Sequence, residues 1–285
     1  MKANIIDGRA IAERIEKELL KELLFLSEKK IVPKLVTIQV GENPASSVYV
    51  KQQRNRCKKV GISYELRSFS DTLTEEEILK EIEKTNLDNS VTGIIVQLPL
   101  PVGIDSKKIQ ATISSSKDVE GVNPFNMGWV VYGKPIFVPC TAFAVMECIE
   151  SVGVDLYGKE AVVVGHSNIV GKPVSLLLLE KFATVSICHI ATSETGKLQE
   201  YVNRADILIS AVGKPNVILG NWVKEDAIVI DVGINRVGDK LVGDVEFEEA
   251  VNKASHITPV PGGVGPITNA ILLRNVVKAA KWKAI

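Results

Sequence analysis

The sequence predicts an α/β protein made of two α/β domains, the second of them a doubly wound parallel sheet. Three observations lead to this class. Short runs rich in valine and isoleucine alternate along the chain with segments of helical periodicity. In the second half these runs are continuously apolar, which indicates parallel strands covered by helices on both faces. A length of 285 residues suits two domains of ordinary size.

In the first half, apolar residues recur at helical spacing from Ala10 to Leu26, which predicts an amphipathic helix. The run LVTIQV after Pro33 predicts a strand, because β-branched residues dominate it and the turn-forming residues 41–44 follow it. A second helix is predicted from about Ser46 to Val60.

The same alternation continues toward the middle of the chain. The run YELRSF predicts a strand, and a helix is predicted from Thr74 to Lys84. Thr74 and Glu77 have the spacing of a capping box, which marks the start of that helix. The run TGIIVQLPL then predicts a buried strand with Gln97 at its end.

Four strands are predicted in the second half, and they cover residues 161–165, 183–189, 206–213 and 227–233. A domain boundary is expected near residues 121–145, because glycine, proline and asparagine are frequent in GVNPFNMG and GKPIFVPC. The last helical stretch, from Pro266, can return to either domain.

Composition excludes several classes of protein. The chain has 34 Lys and Arg residues against 34 Asp and Glu residues, so it has no net charge to attract nucleic acid or an anionic membrane. The only notable basic run, KQQRNRCKK at 51–59, is interpreted as the solvated face of a helix. Hydrophobic residues make up 46% and charged residues 24%, which is typical of globular proteins rather than disordered chains.

The four cysteines are far apart and form no C-x-x-C pair, which favours a reducing compartment. The N-terminal segment has no continuous apolar stretch typical of a signal peptide, and no apolar run is long enough to span a membrane. We therefore expect a cytoplasmic protein.

The segment VVVGHSNIVGKPVSLLLL reads as a strand, a tight turn and a helix. Gly165 permits the turn and Gly171 permits close helix packing, while Ser167 occupies the place of the second glycine in the common dinucleotide fingerprint. Amides at the start of the helix can bind a pyrophosphate, although a purely structural turn is the alternative. The loops DVGIN (231–235) and PVPGGVGP (259–266) are expected at the same sheet edge. The alternative for PVPGGVGP is a rigid proline loop.

Polar residues in the first half form a second candidate constellation. Tyr49 and Gln53 are four residues apart, so a helix presents them on one face. Gln97 ends a buried strand, and Asp118 and Glu120 lie in a turn-rich loop. Each of these residues taken alone is typical of a structural role. Together they predict a polar site in the cleft of a two-domain protein that binds a dinucleotide.

The order of motifs adds a resemblance. The segments VGENPASSVYV, GIIVQLPLP, SSKDVEGVNPFN, PCT, VVVGHSNIVGKP, CHI, DVGIN, GDVEFE and TPVPGGVGPIT closely resemble the methylenetetrahydrofolate dehydrogenase/methenyltetrahydrofolate cyclohydrolase family over essentially the whole chain. This resemblance implies a folate-binding catalytic domain of residues 1–121 plus a helix at about 266–285, and a Rossmann-type cofactor domain of residues 122–265. It also implies tetrahydrofolate one-carbon derivatives as substrates, NADP as cofactor with NAD possible, and a homodimer.

The resemblance further implies two reactions and a set of site residues. Hydride transfer from 5,10-methylenetetrahydrofolate to the nicotinamide gives the methenyl form, and water then opens the methenyl ring to 10-formyltetrahydrofolate. The implied catalytic residues are Tyr49, Gln53, Gln97 and Glu120. The implied substrate-binding residues are Tyr49, Val96, Gln97, Leu98, Asp118, Glu120, Pro261 and Gly262. The implied cofactor-binding residues are Thr141, Gly165, His166, Ser167, Val170, His189, Ile190, Ile234, Gly262, Gly263, Val264 and Gly265. No metal site is implied.

One departure from the family pattern concerns the second reaction. The family has Lys four positions after the tyrosine, and that lysine activates water, whereas this chain has Gln53. An amide can donate and accept hydrogen bonds but cannot take up a proton near neutral pH. General acid–base catalysis contributes about 10²- to 10⁴-fold, so we expect a surviving dehydrogenase and a weak or lost cyclohydrolase. Full bifunctionality is the alternative, and a non-catalytic folate or dinucleotide sensor is the second alternative.

Other departures affect ligand recognition. Glu120 replaces the family aspartate that binds the pterin, which adds one methylene to the site. Ala142 and Ala144 stand where the family has Pro-x-Gly after the PCT motif. His166 and Ile190 replace the Arg and Ser that contact the 2′-phosphate of NADP, so the choice between NADP and NAD stays open. His166 supplies a positive charge only when it is protonated.

Overall fold

A computed structural model describes residues 2–41 and 44–282. Its strands are β1 (Asn4–Ile5), β2 (Lys34–Val40), β3 (Ser63–Phe69), β4 (Gly93–Val96), β5 (Glu160–Val164), β6 (Thr184–Cys188), β7 (Ile207–Ser210), β8 (Ile228–Asp231), β9 (Asn235–Val237), β10 (Lys240–Val242) and β11 (His256–Ile257). Its α-helices are α1 (Gly8–Glu28), α2 (Pro44–Val60), α3 (Glu75–Leu87), α4 (Ser106–Thr112), α5 (Pro124–Val131), α6 (Cys140–Val152), α7 (Gly171–Leu179), α8 (Ile190–Glu194), α9 (Leu198–Arg204), α10 (Phe247–Ala250) and α11 (Val264–Trp282).

The chain folds into two compact units, which we name by their sheets. The six-stranded unit comprises Met1–Glu13, Val130–Lys134 and Pro139–Asn269. The three-stranded unit comprises Arg14–Trp129, Pro135–Val138 and Ala270–Ile285. The predicted α/β class, with a parallel sheet in each half, is confirmed.

The three-stranded unit has the strand order β3-β2-β4, and both pairings are parallel. The central strand β2 is almost entirely buried. Isoleucine side chains of β2, α3 and β4 form its core, among them Ile38, Ile78 and Ile94. The predicted capping box of α3 is present, because the Thr74 hydroxyl accepts from the N–H of Glu77 and the Glu77 carboxylate accepts from the N–H of Thr74.

The six-stranded unit has the strand order β1-β11-β8-β7-β5-β6, and each neighbouring pair is parallel. The four strands predicted in the second half are its β5, β6, β7 and β8. Because parallel strands end at the same side of a sheet, the loops after β5, β6, β7, β8 and β11 share one edge, which we call the carboxyl edge. Open α/β sheets bind ligands at this edge.

Some features of the fold were not predicted from the sequence. Strands β1 and β11 have only two residues each, which is too short for a periodic signal. Pairing of Asn4 with His256 brings the N-terminal segment into the six-stranded unit. Strand β4 ends at Val96, earlier than the predicted apolar run, since Pro99 and Pro101 have no N–H to donate to a ladder.

Among the described residues, no helix combines the length and the apolar character that crossing a membrane requires.

Candidate functional site

In the three-stranded unit, helix α2 and strand β4 bring two predicted catalytic residues into contact. Gln53 lies on α2, and Gln97 directly follows β4. The Gln97 amide nitrogen Nε2 donates to Gln53 Oε1 at 3.0 Å. Gln53 is only 8% exposed, whereas Tyr49, one helical turn earlier, is 48% exposed. A ring left this open beside a buried polar pair can stack on a flat ligand.

The cations of α2 have other partners or face solvent. Arg56 Nη1 and Lys59 Nζ contact the two carboxylate oxygens of Glu16 at 2.9 and 2.7 Å. Arg54 lies over the ring of Tyr64, with 5.8 Å between the guanidinium carbon and the ring centroid. Lys51 is exposed. The basic run therefore carries structural contacts, and none of these contacts joins a cation to Gln53.

The loop after α4 holds two acidic residues with different environments. Asp118 is fully buried, and its carboxylate accepts from the backbone N–H groups of Gly121 and Asn123 and from Asn126 Nδ2 at 3.1, 2.8 and 2.8 Å. Burial raises its pKa. Asp118 thus shapes the loop from inside, and its assignment as a substrate-binding residue stays a prediction from the resemblance.

Glu120 has a more open position. Asp118 forms a parallel bridge with Ile94 of β4, and the chain then turns, because the N–H of Gly121 donates to the carbonyl of Asp118 at 3.2 Å. Glu120 is partly exposed there. Desolvation, with a smaller contribution from the charge of Asp118, raises the pKa of Glu120 to about 8. Glu120 is therefore a carboxyl group that titrates close to neutral pH.

The remaining predicted folate contacts in this unit differ in exposure. Val96 is 3% exposed and belongs to the core, while Leu98 is 43% exposed. The assignment of Val96 as a substrate contact therefore stays a prediction from the resemblance. Residues 42 and 43, in the predicted turn before α2, lie outside the described residues.

In the six-stranded unit, the turn from β5 to α7 depends on two glycines. Gly165 has φ +121°, and a Cβ there would lie 2.4 Å from Ala211 O. A Cβ on Gly171 would lie 1.9 Å from Gly165 O. Both positions exclude any side chain, as the sequence predicted. Ser167 Oγ accepts from the N–H of Val170 at 3.2 Å, so the hydroxyl stabilises the turn itself.

Two histidines meet at the carboxyl edge. His166 follows β5 and His189 follows β6, and their ring centroids are 5.4 Å apart in an edge-to-face arrangement. Ile190 beside them is 67% exposed. Thr141 lies in the first turn of α6, which continues as a helix through Ala142 where the family has Pro-x-Gly.

The loop after β11 completes this edge. Gly262 has φ +112°, Pro261 is exposed, and helix α11 begins at Val264. The first turn of α1 packs directly on this loop, because a Cβ on Gly8 would lie 1.7 Å from Gly263 O. Gly265 is partly exposed in the first turn of α11. After β8, the side chain of Ile234 is 50% exposed.

A pair of buried carboxylates also lies at this edge and was not predicted. Asp231 ends β8 and Asp244 follows β10, and they are 4% and 0% exposed. Between them they accept eight hydrogen bonds, six from backbone N–H groups and two from the side chains of Ser210 and Asn235. The signal that could have revealed them is an aspartate within two residues of a glycine, in DVG (231–233) and again in GDV (243–245).

Comparison with known proteins identifies both halves of the chain. Residues 6–120 match the model of the tetrahydrofolate dehydrogenase/cyclohydrolase catalytic domain, and residues 139–284 match that of the tetrahydrofolate dehydrogenase/cyclohydrolase NAD(P)-binding domain. The chain belongs to the tetrahydrofolate dehydrogenase/cyclohydrolase family. It is 52% identical over 280 residues to the bifunctional protein FolD 2 of Geobacter metallireducens, covering 98% of this chain and 97% of that protein.

Solved structures agree with this membership of the tetrahydrofolate dehydrogenase/cyclohydrolase family. The bifunctional enzyme FolD from Campylobacter jejuni superimposes with a TM-score of 0.95 at 46% identity, covering 99% of both chains. FolD of Trypanosoma brucei, solved with NADP and an inhibitor, has a TM-score of 0.95 at 38% identity and covers 100% of this chain and 99% of that chain. Within the described part of the chain, no cluster of three or more His, Cys, Asp or Glu residues is arranged to hold a metal ion.

Proposed function

We propose that this chain oxidises 5,10-methylenetetrahydrofolate to 5,10-methenyltetrahydrofolate by hydride transfer to NAD(P)⁺, in folate one-carbon metabolism. The observation that carries the proposal is the match of both halves, in order, to the catalytic and NAD(P)-binding domains of one family. Hydride transfer between two bound rings needs positioning more than proton transfer. The exposed ring of Tyr49 and the amide pair of Gln53 and Gln97 suit that task.

In this proposal the folate ring stacks on Tyr49. The amides of Gln53 and Gln97 orient it by hydrogen bonds, and the ionised carboxylate of Glu120 accepts from the N–H groups of the pterin. Val96 and Leu98 are assigned to the same substrate, and the resemblance adds Pro261 and Gly262 to its contacts. These assignments rest on the resemblance and, for Tyr49, Leu98 and Pro261, also on the exposure of the side chain.

The cofactor is assigned to the carboxyl edge of the six-stranded unit. Its pyrophosphate lies against the amides of the turn at 165–171, and Val264 and Ile234 border the nicotinamide. NADP is the proposed form because the family's common cofactor and the Trypanosoma brucei complex both point to it. The exposed Ile190 offers no hydrogen bond to a 2′-phosphate, so NAD is the alternative. Initial rates with each cofactor at pH 6.5 and 8.5 decide this, and NADP preference that strengthens at low pH implicates His166.

For the second reaction, hydrolysis of the methenyl form, two candidates remain. The relatives are named bifunctional, which supports a fully bifunctional chain better than it supports selective loss. Glu120, with a pKa of about 8, supplies a titratable group for that candidate. The specific observation that favours a weak cyclohydrolase is Gln53, a buried amide hydrogen-bonded to Gln97 where the family has a lysine.

One preparation of the protein separates these candidates. Dehydrogenase and cyclohydrolase rates are measured on the same sample, with each folate at saturation. Comparable rates support the bifunctional candidate, whereas a cyclohydrolase rate at least about 10²-fold lower supports selective loss. A protein that binds dinucleotide and folate but turns over neither is the sensor, the second alternative considered from the sequence.

A homodimer remains a proposal from the resemblance. Light scattering on the purified protein at micromolar concentration tests it, and a mass near twice 31.0 kDa is the expected result. A monomeric mass at that concentration would contradict it.

A further inference from the structure

Three consecutive backbone N–H groups after β7 point at one carboxylate. Those of Val212 and Gly213 donate to Asp244 Oδ2 at 2.6 and 3.1 Å, and that of Lys214 donates to Asp244 Oδ1 at 3.0 Å. Successive amides that converge in this way form an anion-binding concavity. Here the anion is a side chain of the protein itself, and it is 0% exposed.

The same carboxylate also joins neighbouring strands. Ser210 Oγ, at the end of β7, donates to Asp244 Oδ2 at 3.2 Å. Asn235 Nδ2, at the start of β9, donates to Asp244 Oδ1 at 2.9 Å. The side chain of Asp244 therefore holds both the loop 211–214 and Asn235, the last residue of the loop 231–235. These two loops follow the adjacent strands β7 and β8.

Asp231 holds the other side of this arrangement. Its carboxylate accepts from the N–H groups of Gly233, Asp244 and Val245 at 3.0, 3.0 and 2.8 Å. The packing leaves no space for side chains, because a Cβ on Gly233 would lie 2.0 Å from Asp244 Oδ1 and a Cβ on Gly243 would lie 1.9 Å from Asp231 Oδ2. Two aspartates and two glycines thus pack closely against one another.

From these contacts we propose that Asp244 is a positioning residue for the nicotinamide cofactor. Its carboxylate holds the loops 211–214 and 231–235 in the arrangement that binds the cofactor, without touching the reacting atoms. This inference rests on the proposed function, which assigns the carboxyl edge to the cofactor. The inference also predicts that the amides of Val212, Gly213 and Lys214 do not bind cofactor phosphate, since Asp244 already occupies them.

The test variant is Asp244→Asn, which keeps the size of the side chain but replaces one acceptor oxygen by a donor. Several amides then lose a charged acceptor, so we expect the Kd of NADP⁺ or NAD⁺ to rise about tenfold or more. The KM of the cofactor should rise by a similar factor, while the Kd of tetrahydrofolate stays within about twofold of the unmodified protein.

Asp206→Asn is the matched control. The Asp206 carboxylate accepts from the N–H of Glu160 at 2.9 Å and from Lys224 Nζ at 2.7 Å, at the opposite edge of the same sheet. We expect it to lower the Tm without changing the Kd of the cofactor. A purely structural role for Asp244 predicts that both variants affect cofactor binding in proportion to their loss of Tm, and that result would overturn the inference.

Two milder variants keep the test decisive if Asp244→Asn does not fold. Ser210→Ala and Asn235→Ala each remove one donor to Asp244. Each is expected to raise the Kd of the cofactor by about two- to fivefold, and unchanged values in both would refute the inference. If the unmodified protein binds neither dinucleotide, the proposed function has failed instead.

Discussion

The candidate site of the three-stranded unit is built from side chains, whereas that of the six-stranded unit is built mainly from backbone. In the first, the chemistry depends on which group stands at Gln53, Gln97 and Glu120. In the second, glycines such as Gly165 and Gly171 leave room for backbone atoms to approach each other. A single substitution can therefore redirect the first site while its fold persists, but in the second it disrupts the shape on which binding depends.

The largest expected effect concerns the candidate site of the three-stranded unit. If Gln53 limits the cyclohydrolase, Gln53→Lys restores a group that can transfer protons, and the cyclohydrolase rate should rise by about 10²- to 10⁴-fold. The dehydrogenase should change much less, because it depends on positioning. Gln52→Lys is the matched control, since Gln52 is exposed on the same helix. If Gln53→Lys leaves the cyclohydrolase unchanged, Gln53 does not limit that reaction.

The second largest effect is expected for a substitution that displaces the backbone of the turn between β5 and α7. Gly171→Ala places a Cβ where Gly165 O already lies, so the turn must open and kcat/KM for the cofactor should fall by about 100-fold. Gly128→Ala is the control, because a Cβ in α5 at that position meets nothing within 4 Å. That variant should be as stable as the unmodified protein or more so. Near-normal cofactor kinetics in Gly171→Ala would show that the turn does not shape the site.

Glu120 allows a pH test of the folate site. Its pKa of about 8 means that the carboxyl group is mostly neutral at pH 6.5 and mostly ionised at pH 9. If the ionised form binds the pterin, kcat/KM for the folate should rise by about tenfold or more across this range. The Glu120→Gln variant should lack this rise. An identical profile in the variant would assign the pH dependence to another group.

The smallest effect is on stability. Folding raises the pKa of Glu120 from 4.5 to about 8, so between these values the folded protein binds more protons than the unfolded chain. The free energy of unfolding should therefore fall as pH rises through this window and level off above it. Asp231, raised from 3.8 to about 7 mainly by burial, contributes in the same direction.

Denaturant titrations at several pH values measure this dependence. Glu120→Gln should reduce this fall, most clearly above pH 7, where more than half of Asp231 is ionised and its contribution declines. Glu83→Gln, at an exposed position on α3, controls for the removal of a charge. An unchanged slope in Glu120→Gln would contradict the raised pKa.

The sequence predicted what depends on local pattern. Runs such as those of β2 and β5 have enough β-branched residues to indicate buried parallel strands, and the capping box at Thr74 marks a helix start that the structure confirms. The shared face of Tyr49 and Gln53 also follows from spacing within one helix.

Contacts between distant segments could not be predicted in the same way. The hydrogen bond from Gln97 to Gln53 spans 44 positions and requires β2 to lie between β3 and β4. The eight hydrogen bonds to Asp231 and Asp244 likewise depend on strand order and on the hairpin of β9 and β10. The buried state of Asp118 also required the structure, since an aspartate in a polar loop is usually exposed.

The most direct test of the central claim is hydride transfer itself. Purified protein is mixed with 5,10-methylenetetrahydrofolate and either NADP⁺ or NAD⁺, and formation of the reduced nicotinamide is followed by its absorbance. The proposal predicts turnover with at least one cofactor, at a rate proportional to the protein concentration. No reduced cofactor with either dinucleotide, in a sample that binds both folate and dinucleotide, would contradict it.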